Sequence, residues 1–252
     1  MNDIIRAGAR FLFGNLVPRL PYPVLRGPLR GARFVLGTLA GEGGGATVYF
    51  NMVEPEQTSA FVGSLKEGNI FFDIGANVGY YTILGARLVR PGGRVFAFEP
   101  MVRNLSYLYR HVELNGTTNV TIIPAACSDS LSLAVFSSGA NPAEGHLNDG
   151  VLSPGNEAIH SPIATITVDI VAERFGIAPH VMKIDVEGAE LSVLRGADKT
   201  IRSAKPQIFL STHSNELRSA CLEFLKHRGY AFTPLSNDKN NPTEFLAKFT
   251  KN

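Results

Sequence analysis

The sequence predicts a doubly wound α/β fold, a mostly parallel sheet covered by helices on both faces. Three observations predict it. Short apolar runs rich in β-branched and aromatic residues recur from Ile70 onward, and helical stretches of about ten to fifteen residues separate them. The last two strand-like runs, "YAFTPLS" and "EFLAKF", are joined by the polar segment "NDKNNPT", a hairpin signal that predicts an antiparallel strand closing the sheet.

Taken in order, residues 1–45 read as a basic, proline-interrupted leader and residues 46–252 as the folded domain. Six arginines (Arg6, Arg10, Arg19, Arg26, Arg30 and Arg33) face only Asp3 in the first forty positions. "GTLAGEGGGATVYF" reads as a glycine-rich turn leading to a short strand. The alternation then begins: a strand at "IFFDIG", a helix from about Tyr80, a strand at "RVFAFEP", a helix from about Asn104, and strands at "VTIIPAAC" and "SLAVFSS". It resumes with a strand at "VMKIDVEG", a helix over "AELSVLRGADKTI", a strand at "QIFLSTH" and a helix over "NELRSACLEFLKHRG". Residues 137–162 lack regular pattern and read as a loop on the substrate side.

Composition narrows the function classes. A chain of 252 residues with 44% hydrophobic and 18% charged residues supports one core. A net charge of +2 is too mild to imply a nucleic-acid partner. Cys127 and Cys221, the two cysteines, make neither a disulfide framework nor a four-ligand zinc site, and fit a reduced, cytoplasmic setting. No apolar run approaches the roughly eighteen residues that cross a bilayer. "ARFLFGNLVPRL" is better read as packing on its own domain or covering a substrate cleft than as a peripheral contact with anionic lipid.

The stretch "FFDIGANVGYYT" carries the first chemistry. A parallel strand ending in a glycine-rich turn lets backbone approach a ligand closely, in the crevice outside the strands' carboxyl ends. Gly75, Ala76, Asn77 and Gly79 form that turn, and the next strand ends at Glu99 and Pro100, about twenty residues on, where an acid accepts ribose hydroxyls. The turn reads D-x-G-x-N-x-G and so lacks the second glycine of the pyrophosphate fingerprint. A carboxylate at Asp73 would repel a diphosphate but suits an ammonium group. A ligand with a ribose at one end and a cationic amino acid at the other is S-adenosylmethionine.

"FFDIGANVGYYT", "FAFEP", "AACSD" and "KIDVEGAELSVLRGA", in that order, resemble the FkbM family of S-adenosylmethionine-dependent methyltransferases, most of which act on oxygen. The resemblance covers roughly residues 65–215. It implies the seven-stranded, Rossmann-like class I methyltransferase sheet with its antiparallel hairpin end. It further implies that Asp73, Gly75 and Asn77 lie near the methionine part, Glu99 on the ribose, and the turn of Ala126, Ser128 and Asp129 beside the adenine.

"KIDVEGAE" would deliver Asp185 and Glu187 to the sheet's carboxyl edge, where the methyl group would sit; Asp185 reads as a cofactor contact as well as a catalytic one. Glu190 reads as a helix cap meeting the helix dipole. His213 ends the next strand and, among six histidines, is the one aimed at this crevice, with a near-neutral pKa suited to removing a hydroxyl proton. Asp185, Glu187 and His213 have the ligand types for Mg²⁺. A metal is the less favoured reading, because the family often has a glutamate where this chain has Ser211. "DVEG" lacks the prolines and stacking ring of enzymes that methylate nitrogen, so the acceptor is expected to be a hydroxyl on a sugar, glycan or natural product. The competing class is a subunit that binds the cofactor or a glycan without turnover.

Overall fold

The computed structural model describes residues 19–38, 46–138, 145–148, 160–235 and 241–250. A hairpin of β1 (Pro21–Pro23) and β2 (Arg33–Val35) precedes a 3₁₀ turn at Ala46–Phe50 and helix α1 (Pro55–Ser64). The alternating core follows as β3 (Ile70–Ile74), α2 (Tyr80–Leu88), β4 (Arg94–Phe98), α3 (Val102–Leu114) and β5 (Val120–Ile123). Four further strands come next: β6 (Ala126–Cys127), β7 (Ser132–Ser138), β8 (Gly145–Asn148) and β9 (His160–Ile166). The chain returns to the core through α4 (Val168–Phe175), β10 (Val181–Ile184), α5 (Glu190–Gly196), α6 (Asp198–Ala204), β11 (Gln207–Ser211), α7 (Asn215–Lys226), β12 (Tyr230–Pro234) and β13 (Glu244–Phe249).

The main sheet has seven strands in the order β12-β13-β11-β10-β3-β4-β5. β11, β10, β3, β4 and β5 are parallel neighbours, and β13 runs antiparallel to both β11 and β12. This is the predicted doubly wound sheet with its C-terminal hairpin. Side chains alternate across each strand, so both faces of the central strands need cover. Phe71, Val95, Val181 and Phe209 pack on one face with Phe61 of α1, Ile83 and Leu84 of α2, and Val24, Leu29 and Phe34 of the hairpin. Phe72, Phe96, Met182 and Ile208 pack on the other with Val171 of α4, Leu194 of α5, Ile201 of α6 and Leu225 of α7. By the same alternation Asp73 and Lys183, paired in register between β3 and β10, share the face that carries Phe71 and Val181.

Strand order reverses direction between β3 and β10: the chain builds outward through β4 and β5, then comes back to place β10 on the other side of β3. The carboxyl ends of these two strands therefore border the crevice at the topological switch point, where ligands bind in such sheets.

Three local expectations are revised. "ATVYF" forms a 3₁₀ turn and not a strand, because Val48 and Tyr49 are buried against the hairpin and the Tyr49 hydroxyl donates to the Phe34 carbonyl at 2.6 Å. Tertiary anchoring overrides β propensity there. The single helix expected over "AELSVLRGADKTI" is two, broken at Ala197. Within 137–162, β8 and the start of β9 join β6 and β7 in a second, four-stranded sheet of order β6-β9-β7-β8; residues 139–144 and 149–159 lie outside the described residues. Of the leader, 1–18 and 39–45 lie outside the described residues. His111 of α3 ties its β2 strand to the core, accepting from the Val35 amide at 3.0 Å and bonding the Val78 carbonyl at 2.7 Å. Among the described residues no helix is long and apolar enough to cross a membrane.

Candidate active site

The glycine turn is built by close approach. At the end of β3, Gly75 has φ 84°, and a Cβ there would stand 1.9 Å from the Asp185 carbonyl oxygen. The amides of Gly75 and Ala76 both donate to the Phe98 carbonyl, at 3.0 and 2.9 Å, while that of Gly79 closes the turn on Ala76. Only a residue without a side chain lets β3 and β10 converge this tightly. Asn77, with φ 50°, donates its amide to Glu99 Oε2 at 2.8 Å, and its own Oδ1 is buried without a partner.

Two buried carboxyl groups flank the turn. Asp73 is 1% exposed and accepts from Thr82 Oγ1 at 2.5 Å. Burial raises it to about 6, against the pull of Lys183 and the Thr82 hydrogen bond. Glu99 accepts from the Met101 amide at 2.9 Å and from Asn104 Nδ2 at 3.4 Å; burial raises it to about 7 although all three donors oppose the shift. Pro100 follows Glu99 half-buried. Beyond β5, Ala126 is buried in β6, Ser128 is half-buried and donates its amide to the Ile166 carbonyl, and Asp129 is exposed. Gly196 of α5 fits against this turn, since a Cβ there would meet the Ser128 carbonyl at 2.0 Å.

Across the switch point, the ends of β10 and β11 bring Asp185, Glu187 and His213 together. His213 Nε2 stands 3.2 Å from Glu187 Oε2 and 3.6 Å from Asp185 Oδ1. Its Nδ1 lies 2.6 Å from Glu190 Oε1. Glu187 sits at φ 51° in a turn that continues through Gly188 at φ 109°, and that turn aims its carboxylate at the histidine. Burial would lower the His213 pKa, but the bond to Glu190 and the charges of Asp185 and Glu187 hold it above its ordinary value.

Lys183 completes the electrostatics. Its ammonium is 2.7 Å from Asp185 Oδ2 and 4.8 Å from the centre of the Tyr81 ring. Burial would lower its pKa, yet Asp185, Glu54 and Asp73 together keep it raised. In return, burial pushes Asp185 up while Lys183 and then His213 hold it below the usual carboxylate range. Ligand atoms of Asp185, Glu187 and His213 lie within 4.8 Å of one another, a spacing that admits a divalent cation. Lys183 already pairs with Asp185, and Nε2 lies 3.2 Å from Glu187 Oε2.

A cavity of about 480 Å³ opens beside His213. Its lining is polar or charged at every position, with carboxylates from Glu54, Asp185, Glu187 and Glu244. Glu54, at φ 38° ahead of α1, accepts from the Tyr81 hydroxyl at 2.8 Å. Of the five described non-glycine residues at positive φ, three (Glu54, Asn77 and Glu187) border the cavity or the glycine turn, and such strain gathers at functional sites.

Reasoning from sequence did not single out Glu54 or Lys183, and took Glu190 for a cap alone. Lys183 carried a signal, since a lone charge inside the apolar run "VMKID" needs a buried partner. Glu54 carried none beyond preceding Pro55, because what matters there is its backbone conformation.

The profile of the methyltransferase FkbM domain matches residues 73–232. Hexuronic acid methyltransferase AglP of Haloferax volcanii is 30% identical over 139 residues, which is 55% of this chain and 54% of that protein. The 31-O-demethyl-FK506 methyltransferase FkbM of Streptomyces tacrolimicus is 28% identical over 161 residues, 53% of this chain and 61% of its own. The chain thus spans little more than half the length of these relatives. Among solved structures, a methyltransferase FkbM from Methylobacillus flagellatus superposes with a TM-score of 0.53 at 17% identity, covering 84% of this chain and 56% of that one, a likeness of fold.

Proposed function

The chain belongs to the FkbM methyltransferase family, and from that premise we propose that it methylates a hydroxyl oxygen of a sugar, glycan or other natural product using S-adenosylmethionine. The observation that carries this reading is His213 Nε2, set between two carboxylates at the mouth of a cavity lined by polar and charged residues, next to the glycine turn at the switch point. A lining of polar and charged residues suits an acceptor rich in hydroxyls, since pockets for apolar ligands are lined mainly by aliphatic and aromatic groups. The hexuronic acid named for the Haloferax relative belongs to the same broad class.

The turn fits the cofactor in chemical type. Asn77 Oδ1 is a buried acceptor awaiting a donor, and Asp73 is a carboxyl group that a ligand's ammonium would draw back towards ionisation. Asp73, Gly75, Ala76, Asn77 and Gly79 would hold the methionine part, with Asp185 at its reactive end. Glu99 and Pro100 would hold the ribose, and Ala126, Ser128 and Asp129 the adenine. Glu99 takes one strong backbone donor on each oxygen, which leaves lone pairs for ribose hydroxyls. Bound there, S-adenosylmethionine supplies a methyl group on a sulfonium, a ready leaving group.

The chain's part in the reaction is positioning and proton removal. Asp185 and Glu187 would accept from neighbouring hydroxyls of the acceptor and so orient it, Nε2 of neutral His213 would take the proton of the reacting hydroxyl, and Lys183 keeps Asp185 ionised. Positioning supplies most of such a rate enhancement, and a general base adds about 10²- to 10⁴-fold. Calorimetry tests the cofactor: S-adenosylmethionine or its demethylated product should bind and NAD should not. Glu99→Ala should weaken that binding by roughly 1–3 kcal/mol, the worth of hydrogen bonds to a charged group. Binding of NAD alone would overturn the reading.

A further inference from the structure

Glu190 is the third carboxylate that faces His213, after Asp185 and Glu187, and its surroundings are unlike those of a helix cap. Its side chain is 0% exposed. Oε1 accepts from the Gly188 amide at 2.9 Å and lies 2.6 Å from His213 Nδ1, while Oε2 is buried with no partner. The helix that starts at Glu190 has Ala189 at its N-cap position and no side-chain cap hydrogen bond. A carboxylate taken wholly out of water with one oxygen unsatisfied is costly unless a charged or strongly donating group faces it. The imidazole of His213 is that group.

We infer that Glu190 is a positioning residue: it fixes the His213 ring so that Nδ1 carries the proton of the neutral imidazole and Nε2 presents its lone pair to the polar cavity. The inference rests on the proposed methyl transfer and deepens it. One side chain bridges two strand ends, because its Oε1 meets both the Gly188 amide in the turn after β10 and the ring of His213 beyond β11. The same oxygen therefore sets the turn that aims Glu187 and the ring that Glu187 faces. Carboxylates face both nitrogens, at 2.6 Å on Nδ1 and 3.2 Å on Nε2, so the shorter contact to Glu190 decides which nitrogen keeps the proton of the neutral ring, and it stabilises the imidazolium that forms when the acceptor hydroxyl's proton moves to Nε2. The proton ends on Nε2 and the Nδ1 proton stays in its bond to Glu190. The charged groups facing the ring are Glu190 on Nδ1 and Glu187 and Asp185 on Nε2, with Lys183 acting through Asp185.

The test compares wild type with Glu190→Gln, which keeps an acceptor for the Gly188 amide and removes the charge, and with Glu190→Asp as the conservative variant. Long-range ¹H–¹⁵N spectra of His213, titrated against pH, read the tautomer and the midpoint without any acceptor substrate. We expect the neutral wild-type ring to carry its proton on Nδ1. The midpoint should fall in Glu190→Gln and recover towards wild type in Glu190→Asp. Where transfer is assayed, kcat should drop roughly 10²- to 10⁴-fold in Glu190→Gln with the KM for S-adenosylmethionine little changed. A proton on Nε2 in the neutral wild-type ring, or a midpoint equal in wild type and Glu190→Gln with only the melting temperature lowered, would overturn the inference and restore the cap. The tautomer and midpoint as stated, but with S-adenosylmethionine neither bound nor consumed by any form, would leave the positioning standing and sink the methyl-transfer reading.

Discussion

At the scale of single residues, two features dominate: a histidine whose proton is held too well, and a glycine that cannot be anything else. His213 is flanked by three carboxylates, which hold its pKa above the ordinary value of about 6.5. A base must be neutral to act. Transfer should therefore rise with pH through that elevated value, and the acidic limb of the rate profile should lie above pH 6.5. A limb at or below 6.5 would mean that another group takes the proton, and its persistence in His213→Ala would say the same. Gly75→Ala sets a Cβ 1.9 Å from the Asp185 carbonyl at φ 84°, so it must push β10 away. We expect a loss of roughly 1–3 kcal/mol of stability by urea unfolding and weaker cofactor binding. Unchanged values for both would show that the strand ends have room the geometry denies.

Among the elements, those with strong periodicity were legible and those set by tertiary contact were not. The strands "IFFDI", "RVFAF" and "QIFLS" read clearly because both faces are buried and their apolar runs are continuous. Helix α1 went unpredicted: its apolar positions are few, and it starts at a Glu54 in left-handed conformation with no side-chain cap. Its place is secured instead by Phe61, whose ring meets Phe71, Tyr81 and Phe209 edge-on at 4.9, 5.0 and 5.4 Å. Phe61→Ala should cost about 3–5 kcal/mol, as large-to-small changes of buried aromatics do, and calorimetric or urea melts measure it. A cost under about 1 kcal/mol would mean that α1 is not seated by this cluster. Strand-end spacing put Asp73, Glu99, Asp185 and His213 at the sheet's carboxyl edge, and they lie there, Asp73 one residue inside the end of β3 and the others just past β4, β10 and β11. The role of Glu190 could not be read that way, since its partner is twenty-three residues distant in sequence and meets it only when β10 and β11 lie side by side.

For the molecule as a whole, the reversal of strand order between β3 and β10 puts the glycine turn on one side of the crevice and the His213 cluster on the other. Glu54 and Glu244, which line the cavity, come from outside the 73–232 segment shared with the family. Residues outside the matched segment thus add to the cavity, and acceptor choice should be more sensitive than cofactor binding to changes there. Glu54→Gln with Glu244→Gln should alter the affinity for the acceptor while leaving that for S-adenosylmethionine within about twofold, a difference of about 0.4 kcal/mol, read by calorimetry. An equal loss for both ligands would place these residues at the cofactor. The most direct test of the account follows tritium from methyl-labelled S-adenosylmethionine into an extract of the cells that carry the gene, with wild type and His213→Ala side by side. Labelled products are hydrolysed in acid, which frees monosaccharides but leaves methyl ethers intact. Label is expected in an acid-stable methyl ether, with the rate reduced roughly 10²- to 10⁴-fold in His213→Ala at undiminished cofactor affinity. Label lost on hydrolysis, no label in any fraction, or equal rates for the two proteins would contradict it.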